Sequence, residues 1–234
     1  MKLDPGTAGA SLCTVDAPGT VVMTYDDGPH PEGTPAVLDA LAEASVSATF
    51  FVLLSRARRR PDLLARIVDA GHEIALHGLD HTRLDSYAPS VALDRQVRGR
   101  EELEQLAGAP VRWYRPPYGG QSVASWSATL EAGLTPVVWS VVLEDWVTAP
   151  LDVLVGRGVG AVAGDVVLAH DGFADAIDGS PDLDAVEPEI DKGELSRGIL
   201  AGLRSRGLRP VSLGDAVALG APVLRPWLSP AAGG

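Results

Sequence analysis

The sequence predicts an α/β fold, a parallel sheet with helical crossovers whose candidate functional residues gather at the carboxyl ends of the strands. Three observations carry that reading. Short apolar or β-branched runs alternate with longer amphipathic segments along the chain, the pattern of a parallel sheet joined by helices. Runs such as Val137-Val138-Trp139 and Val166-Val167-Leu168 are apolar without alternation, as strands covered on both faces are in a barrel or a doubly wound sheet. The polar residues best suited to chemistry, Asp26, Asp27, His77, Arg115, Asp145 and His170, fall where such runs end, and side chains distant in sequence converge at that edge of a parallel sheet.

Taken in order, strands are predicted over 21–25, 48–53, 73–77, 111–115, 135–142, 165–170 and 209–213. Helices are predicted over 35–44, 61–70, 90–107, 122–132, 150–159 and 193–206; several have proline at the start and glycine after the end, which suits helix termini. With 234 residues, 46% hydrophobic and 21% charged, the chain can bury one full-sized core. A single domain is expected over 21–220, with residues 1–20 as an N-terminal extension packed on it, an acidic insertion at 173–193 and a tail at 221–234. A net charge of −12 repels phosphate backbones and anionic headgroups, so nucleic acid is not an expected partner. No stretch reaches the roughly 18 apolar residues of a membrane span. The lone Cys13 excludes an intrachain disulfide, and residues 1–20 lack the basic start and apolar run of an export signal. A cytoplasmic protein is expected, or a secreted one if the natural N-terminus has been trimmed.

Five segments carry chemistry. Thr24-Tyr25-Asp26-Asp27-Gly28-Pro29 runs a strand into two adjacent carboxylates; neighbours on a strand point in different directions, so one can bind a metal while the other acts as a base. His77-Gly78-Leu79-Asp80-His81 sets two imidazoles four residues apart, and a helical turn there would put both rings on one face, able to chelate one ion. Two His and one Asp leave positions open for water and substrate. Trp113-Tyr114-Arg115-Pro116-Pro117-Tyr118-Gly119-Gly120 ends a strand in a rigid turn that can offer the Tyr118 backbone N–H to an oxyanion while Arg115 pairs with a carboxylate. The last two are the run 139–146, ending in Asp145-Trp146, and Leu168-Ala169-His170-Asp171-Gly172. A histidine at a strand end near a carboxylate is what a general acid needs.

In this order and spacing, from Val21 to about Leu213, the segments resemble the five motifs of the polysaccharide deacetylase family, the NodB-homology or carbohydrate esterase family 4 domain. The resemblance implies a distorted (β/α)7 barrel. It implies one divalent metal ion, zinc foremost with Co2+, Ni2+ or Mn2+ as alternatives, held by Asp27, His77 and His81. Position by position, it makes Asp26 the catalytic base, Arg115 the arginine that holds it, and Tyr118 the backbone donor to the oxyanion. His170 becomes the general acid, tuned by Asp145. Trp146 and Leu168 become the apolar walls around the acetyl group, with Pro117 a further substrate contact. The implied activity is metal-dependent N-deacetylation of an amino-sugar-containing substrate, a soluble small molecule or glycoconjugate in preference to wall polymer. The sequence departs from the family at Gly78, where Ser or Thr often supports the ligand loop, at Val142, where an aspartate is common, and mildly at Tyr25.

Other readings stay open at this level. The same machinery serves hydrolysis of another linear or cyclic C–N bond, or an O-acetyl ester. Two His and one Asp can also hold iron for oxygen chemistry, although an adjacent base and acid suit hydrolysis better. A catalytically silent carbohydrate-binding domain is the reading from a different class. His30 and His72 are expected to be structural, Trp227 to pack on the surface, and Arg56, Arg58, Arg59 and Arg60 to form a solvated basic face. The acidic stretch with Asp175, Asp178, Asp182, Asp184, Glu187, Glu189 and Asp191 is expected to be a solvated loop; its sharper alternative is a lid that favours cationic substrates.

Overall fold

A computed structural model describes residues 8–180 and 186–229. Two strands open the chain, β1 (Ala10–Asp16) and β2 (Thr20–Asp26), the second buried throughout. They are followed by α1 (Gly33–Ala44), β3 (Thr49–Leu53), α2 (Leu54–Arg59), α3 (Pro61–Asp69), β4 (Glu73–Gly78) and α4 (Pro89–Ala107). Next come β5 (Trp113–Tyr114), α5 (Val123–Glu131), β6 (Thr135–Pro136), β7 (Val141–Val142), α6 (Leu151–Val159) and β8 (Val166–His170). The chain closes with α7 (Lys192–Ser205), β9 (Arg209–Val211), α8 (Leu213–Leu219) and β10 (Ala221–Pro226). Local chemistry accounts for the helix ends: Pro61 and Pro89 open α3 and α4, Ser122 and Ser125 form a capping box on α5, and α4 stops at Gly108 in the left-handed region.

The sheet is parallel, in the order β6-β5-β4-β3-β2-β8-β7, and β9 pairs with the first half of β2 while β8 takes the second. The run 135–142, predicted as one strand, divides. Thr135–Pro136 pairs with β5 at one edge and Val141–Val142 with β8 at the other. Pro136 has no N–H to extend the ladder, and the Val138 N–H donates instead to the Leu12 carbonyl of β1 at 2.8 Å. One run thus reaches both edges, and the sheet is curled into a half-barrel.

The pattern predicts no strand at 10–16 or 221–226; the structure pairs them as an antiparallel ribbon, β1 with β10. The Gln121 side-chain NH2 donates to Gly9 O, Ser11 Oγ and Trp227 O, tying both ends of the described chain to the turn before α5. Among the described residues no helix is long and apolar enough to cross a membrane.

Strand alternation sorts the core into two parts. Val21, Met23, Tyr25, Phe50, Val52, Ile74, Leu76, Tyr114, Val167 and Ala169 pack outward under the helices. Val22, Phe51, Ala75, Trp113 and Val166 face into the curl. Side chains on a strand alternate with period two, so the inward series continues to Thr24 and Asp26 on β2, His77 on β4, Arg115 just after β5, and Leu168 and His170 on β8. Sheet periodicity and parallel register alone bring these groups to the same end of the same face.

Candidate active site

Asp26 and Asp27 share the site because the backbone turns between them. Asp26 follows the inward series, and Asp27 adopts φ 75°, a left-handed conformation that swings its carboxylate back toward the curl. Gly28 must follow: a Cβ there would lie 2.1 Å from Asp171 Oδ2. Asp171 is buried beneath this turn, where it accepts from Gly28 N at 3.1 Å and from the Thr34 hydroxyl. Burial, aided by the Asp27 charge, pushes its carboxyl up to about 6.

Asp27 Oδ1 lies 3.3 Å from both His77 Nε2 and His81 Nε2, all three residues are buried, and their ligand atoms lie within 4.8 Å of one another. His77 Nδ1 sits 2.8 Å from the Arg115 carbonyl oxygen, which can only accept, so neutral His77 turns the lone pair of Nε2 toward Asp27. That sets two acceptors face to face. Asp27 Oδ1 is buried with no hydrogen-bond partner. A divalent cation among the three residues would satisfy both acceptors, so the donor set fits one. Burial lowers the His81 imidazole to about 4, leaving it neutral and able to ligate at neutral pH. Burial opposes the Asp27 charge, but the imidazoles of His81, His77 and His170, once protonated in acid, outweigh it and hold the carboxyl well below its ordinary range.

Asp26 lies beside this trio, its Oδ2 3.9 Å from His77 Nε2. Arg115, wholly buried, donates from Nη1 to Asp26 Oδ1 at 2.7 Å and to Thr24 Oγ1 at 2.8 Å, and its guanidinium lies 4.1 Å above the Phe51 ring. On the adjacent strand β8, in register with Asp26, His170 Nδ1 donates to Asp145 Oδ1 at 2.8 Å, and its backbone N–H to Asp145 Oδ2 at 3.0 Å. Lys192 Nζ completes the group, 2.9 Å from Asp145 Oδ2 and 3.0 Å from the Asp145 carbonyl. Burial opposes both charges. The His170 and Lys192 cations nonetheless hold the Asp145 carboxyl down at about 2, and the Asp145 anion raises the His170 imidazole. The pair keeps a protonatable nitrogen, Nε2, turned to the cavity.

Residues 15–137, more than half of the chain, match the profile of the family described as polysaccharide deacetylase. The chain belongs to the polysaccharide deacetylase family. A chitooligosaccharide deacetylase of Sinorhizobium fredii is 40% identical over 69% of this chain and 78% of its own length. A peptidoglycan-N-acetylglucosamine deacetylase of Bacillus cereus is 33% identical over 73% of this chain and 62% of its own. A family 4 carbohydrate esterase from Streptomyces lividans, solved with acetate, superposes with a TM-score of 0.72 at 27% identity, over 83% of this chain and 92% of that one.

The polysaccharide deacetylase site opens into a cavity of about 630 Å³, which Asp26, Asp27, His77, His81 and His170 line together with Tyr118, Trp146 and Leu168. Arg115 and Asp145 stand behind its wall, fully buried. Pro117 does not line it: that residue is buried in the turn, and Pro116 faces the cavity instead. Trp139, Val147 and Phe173 add apolar wall that the motifs did not single out. Trp146 stands edge-on to the His170 ring at 5.3 Å.

The ligand loop is a bend, not the helical turn that the histidine spacing suggests, yet the two rings still converge at 5.3 Å between centroids. Gly78 is required by this bend: its φ is 147°, and a Cβ would lie 2.6 Å from the Asp80 carbonyl oxygen. Tyr118, itself left-handed at φ 58°, reaches His81 Nδ1 with its hydroxyl at 2.8 Å.

Two surface expectations are corrected. Arg56 is not part of a solvated face: it is buried and pairs with buried Asp178, which Arg59, itself exposed as expected, also reaches. Arg58 and Arg60 do make exposed pairs, with Glu102 and Asp62. At the start of the acidic stretch Asp178 is buried and Phe173, Ala174 and Ser180 line the cavity, whereas Asp175, Glu187, Glu189 and Asp191 are exposed as expected; Asp182 and Asp184 lie outside the described residues. His30 and His72 are structural, accepting from backbone N–H groups of Gly33 and Ala48. Trp227 packs edge-on against Trp139 and donates to Gly119 O at 3.0 Å.

Proposed function

We propose that this protein is a metal-dependent N-deacetylase that hydrolyses the acetamido group of an amino-sugar substrate. The observation that carries the reading is the buried Asp27 Oδ1 without a partner, facing two imidazole Nε2 atoms, beside a carboxylate held by arginine and an imidazole held by aspartate. Asp27, His77 and His81 would hold the cation. When bound there, it supplies Lewis acidity, polarising the scissile carbonyl and making water more acidic, with a pKa of about 7 in well-studied zinc sites.

The chain's own groups do the rest. Asp26, fixed by Arg115, takes the proton from the attacking water. The Tyr118 backbone N–H is assigned to the developing oxyanion; one such donor contributes roughly 100- to 1000-fold in rate. His170 delivers a proton from Nε2 to the departing nitrogen, since an amide nitrogen leaves only as the neutral amine. Trp146 and Leu168 flank the acetyl group. The substrate proposed is a soluble N-acetylglucosamine-type oligosaccharide or glycoconjugate, in keeping with the chitooligosaccharide relative and with a cavity of about 630 Å³, a size that encloses a small ligand.

The test is acetate release from N-acetylglucosamine conjugates, chitooligosaccharides and acetylated xylan, with chelated and zinc-reloaded protein compared. Zinc-restored release from the N-acetylated members is expected. Release from xylan alone would make the protein an O-acetyl esterase, and no release from any member by zinc-loaded protein would overturn the activity.

A further inference from the structure

His77 is held by the sheet, whereas His81 belongs to no helix or strand. Its anchors come from a distant part of the chain. The His81 backbone N–H donates to the Asp178 carbonyl at 2.6 Å. Its ring Nδ1 meets the Tyr118 hydroxyl, which lies 3.0 Å from Ser180 Oγ. Asp178 and Ser180 both sit in the turn after β8.

That turn is fastened in its own right. The Asp178 carboxylate, 1% exposed, accepts from Arg56 Nε at 2.7 Å, from Arg59 Nη2 and from Ser55 Oγ at 3.1 Å. Arg56 Nη2 reaches the Phe173 carbonyl at 2.6 Å. Gly179 lets the turn press on the ligand loop: its φ is +85°, and a Cβ would lie 3.1 Å from Thr82 Cγ2. The ligand loop is fixed to α2 as well, through Ser55 N–H to Leu79 O at 2.9 Å. Three segments distant in sequence, α2, the bend after β4 and the turn 173–180, meet around one imidazole.

We propose that the turn 173–180 is a positioning element of the metal centre, in which Asp178 and Ser180 hold His81 against Asp27. Gly78 carries no hydroxyl with which to brace the bend, and this turn braces it from outside through the His81 backbone and ring. The inference rests on the metal-binding reading above and assigns part of that affinity to residues that touch no metal. Groups that orient a ligand imidazole typically contribute about 10- to 100-fold in affinity.

The experiment is a zinc titration of the chelated, full-length protein against a chromogenic chelator, with thermal unfolding of every variant recorded in parallel. Ser180→Ala removes one hydroxyl and leaves no buried charge exposed to the interior, so it should fold normally and weaken zinc binding by about 10-fold, while Ser180→Thr keeps wild-type affinity. Tyr118→Phe combined with Ser180→Ala should weaken binding no more than Tyr118→Phe alone, because the two act along one chain. Asp178→Asn loosens the turn and should cost at least as much, and Arg58→Met, on the same helix but paired with Glu102, should change nothing. Wild-type affinity in both Ser180→Ala and Asp178→Asn would overturn the inference and leave the metal site standing. Failure of the wild-type protein to take up zinc would overturn both.

Discussion

Replacing Asp145 with asparagine separates the charge of this residue from its shape. The carboxylate receives the His170 Nδ1–H at 2.8 Å and Lys192 Nζ at 2.9 Å, and asparagine keeps the volume while losing the anion. A hydrogen bond to a charged group contributes about 1.5–3 kcal/mol, and about 1.4 kcal/mol corresponds to one pH unit. His170 should therefore lose its proton about one to two units lower, and the Lys192 cation, no longer neutralised, pushes in the same direction. Because the acid works as imidazolium, the high-pH limb of kcat/KM for zinc-loaded protein should move down by that interval. Stability follows with a definite sign. The folded carboxyl is held at about 2, below its unfolded value of about 3.9. Its contribution is thus present above about pH 4 and lost as pH falls toward 2. The variant loses that dependence and leaves Lys192 buried without a counter-ion, a change of about 3–5 kcal/mol. At about 2–4 °C per kcal/mol for a chain of this size, Tm at neutral pH should drop by roughly 6–20 °C. pH-resolved kinetics and calorimetry read both. A high-pH limb left in place, or an unchanged Tm profile, would refute the account of Asp145 as an electrostatic partner.

Three further outcomes follow from the geometry. His170→Ala should keep stoichiometric metal by elemental analysis and lose at least about 100-fold in kcat, whereas His81→Ala should lose the metal itself; near-normal turnover in His170→Ala would remove it from the acid role. Gly28→Ala forces a Cβ to within 2.1 Å of Asp171 Oδ2, so a loss of about 1–3 kcal/mol in denaturant unfolding is expected, with weaker metal binding because Asp27 must shift. Trp227→Ala removes the donor to Gly119 O and the contact with Trp139, and should raise KM more than it lowers kcat, since Trp139 lines the cavity and touches no reacting group; equal effects on both would place Trp139 nearer the chemistry.

How much of this was legible depended on whether a feature is local. The apolar runs of β2, β4 and β8 are written in the chain, so Asp26, His77 and His170 could be placed at strand ends from sequence alone. The orientation of Asp27 could not be read from alternation, because it rests on a left-handed φ stabilised by Gly28 and by Asp171, more than 140 residues away. The run 135–142 reads as one strand because its residues, Pro136 apart, suit a strand; its division comes from Pro136 and from β1, whose Leu12 carbonyl claims the Val138 N–H. Arg56 reads as solvated because nothing nearby in sequence neutralises it, and its partner Asp178 lies in a stretch whose acidity suggested the same.

Lys192 shows that a distant contact can still leave a signal. Lys2 and Lys192 are the only lysines among 19 basic residues, and Lys192 occupies the first position of α7, where the helix dipole disfavours a cation. A lysine at a site that repels it, within an acidic stretch, points to an anion buried nearby. Asp145 is that anion, and it also accepts the His170 proton. The misplaced cation and the general acid are therefore one feature of the site, read from two ends of the chain.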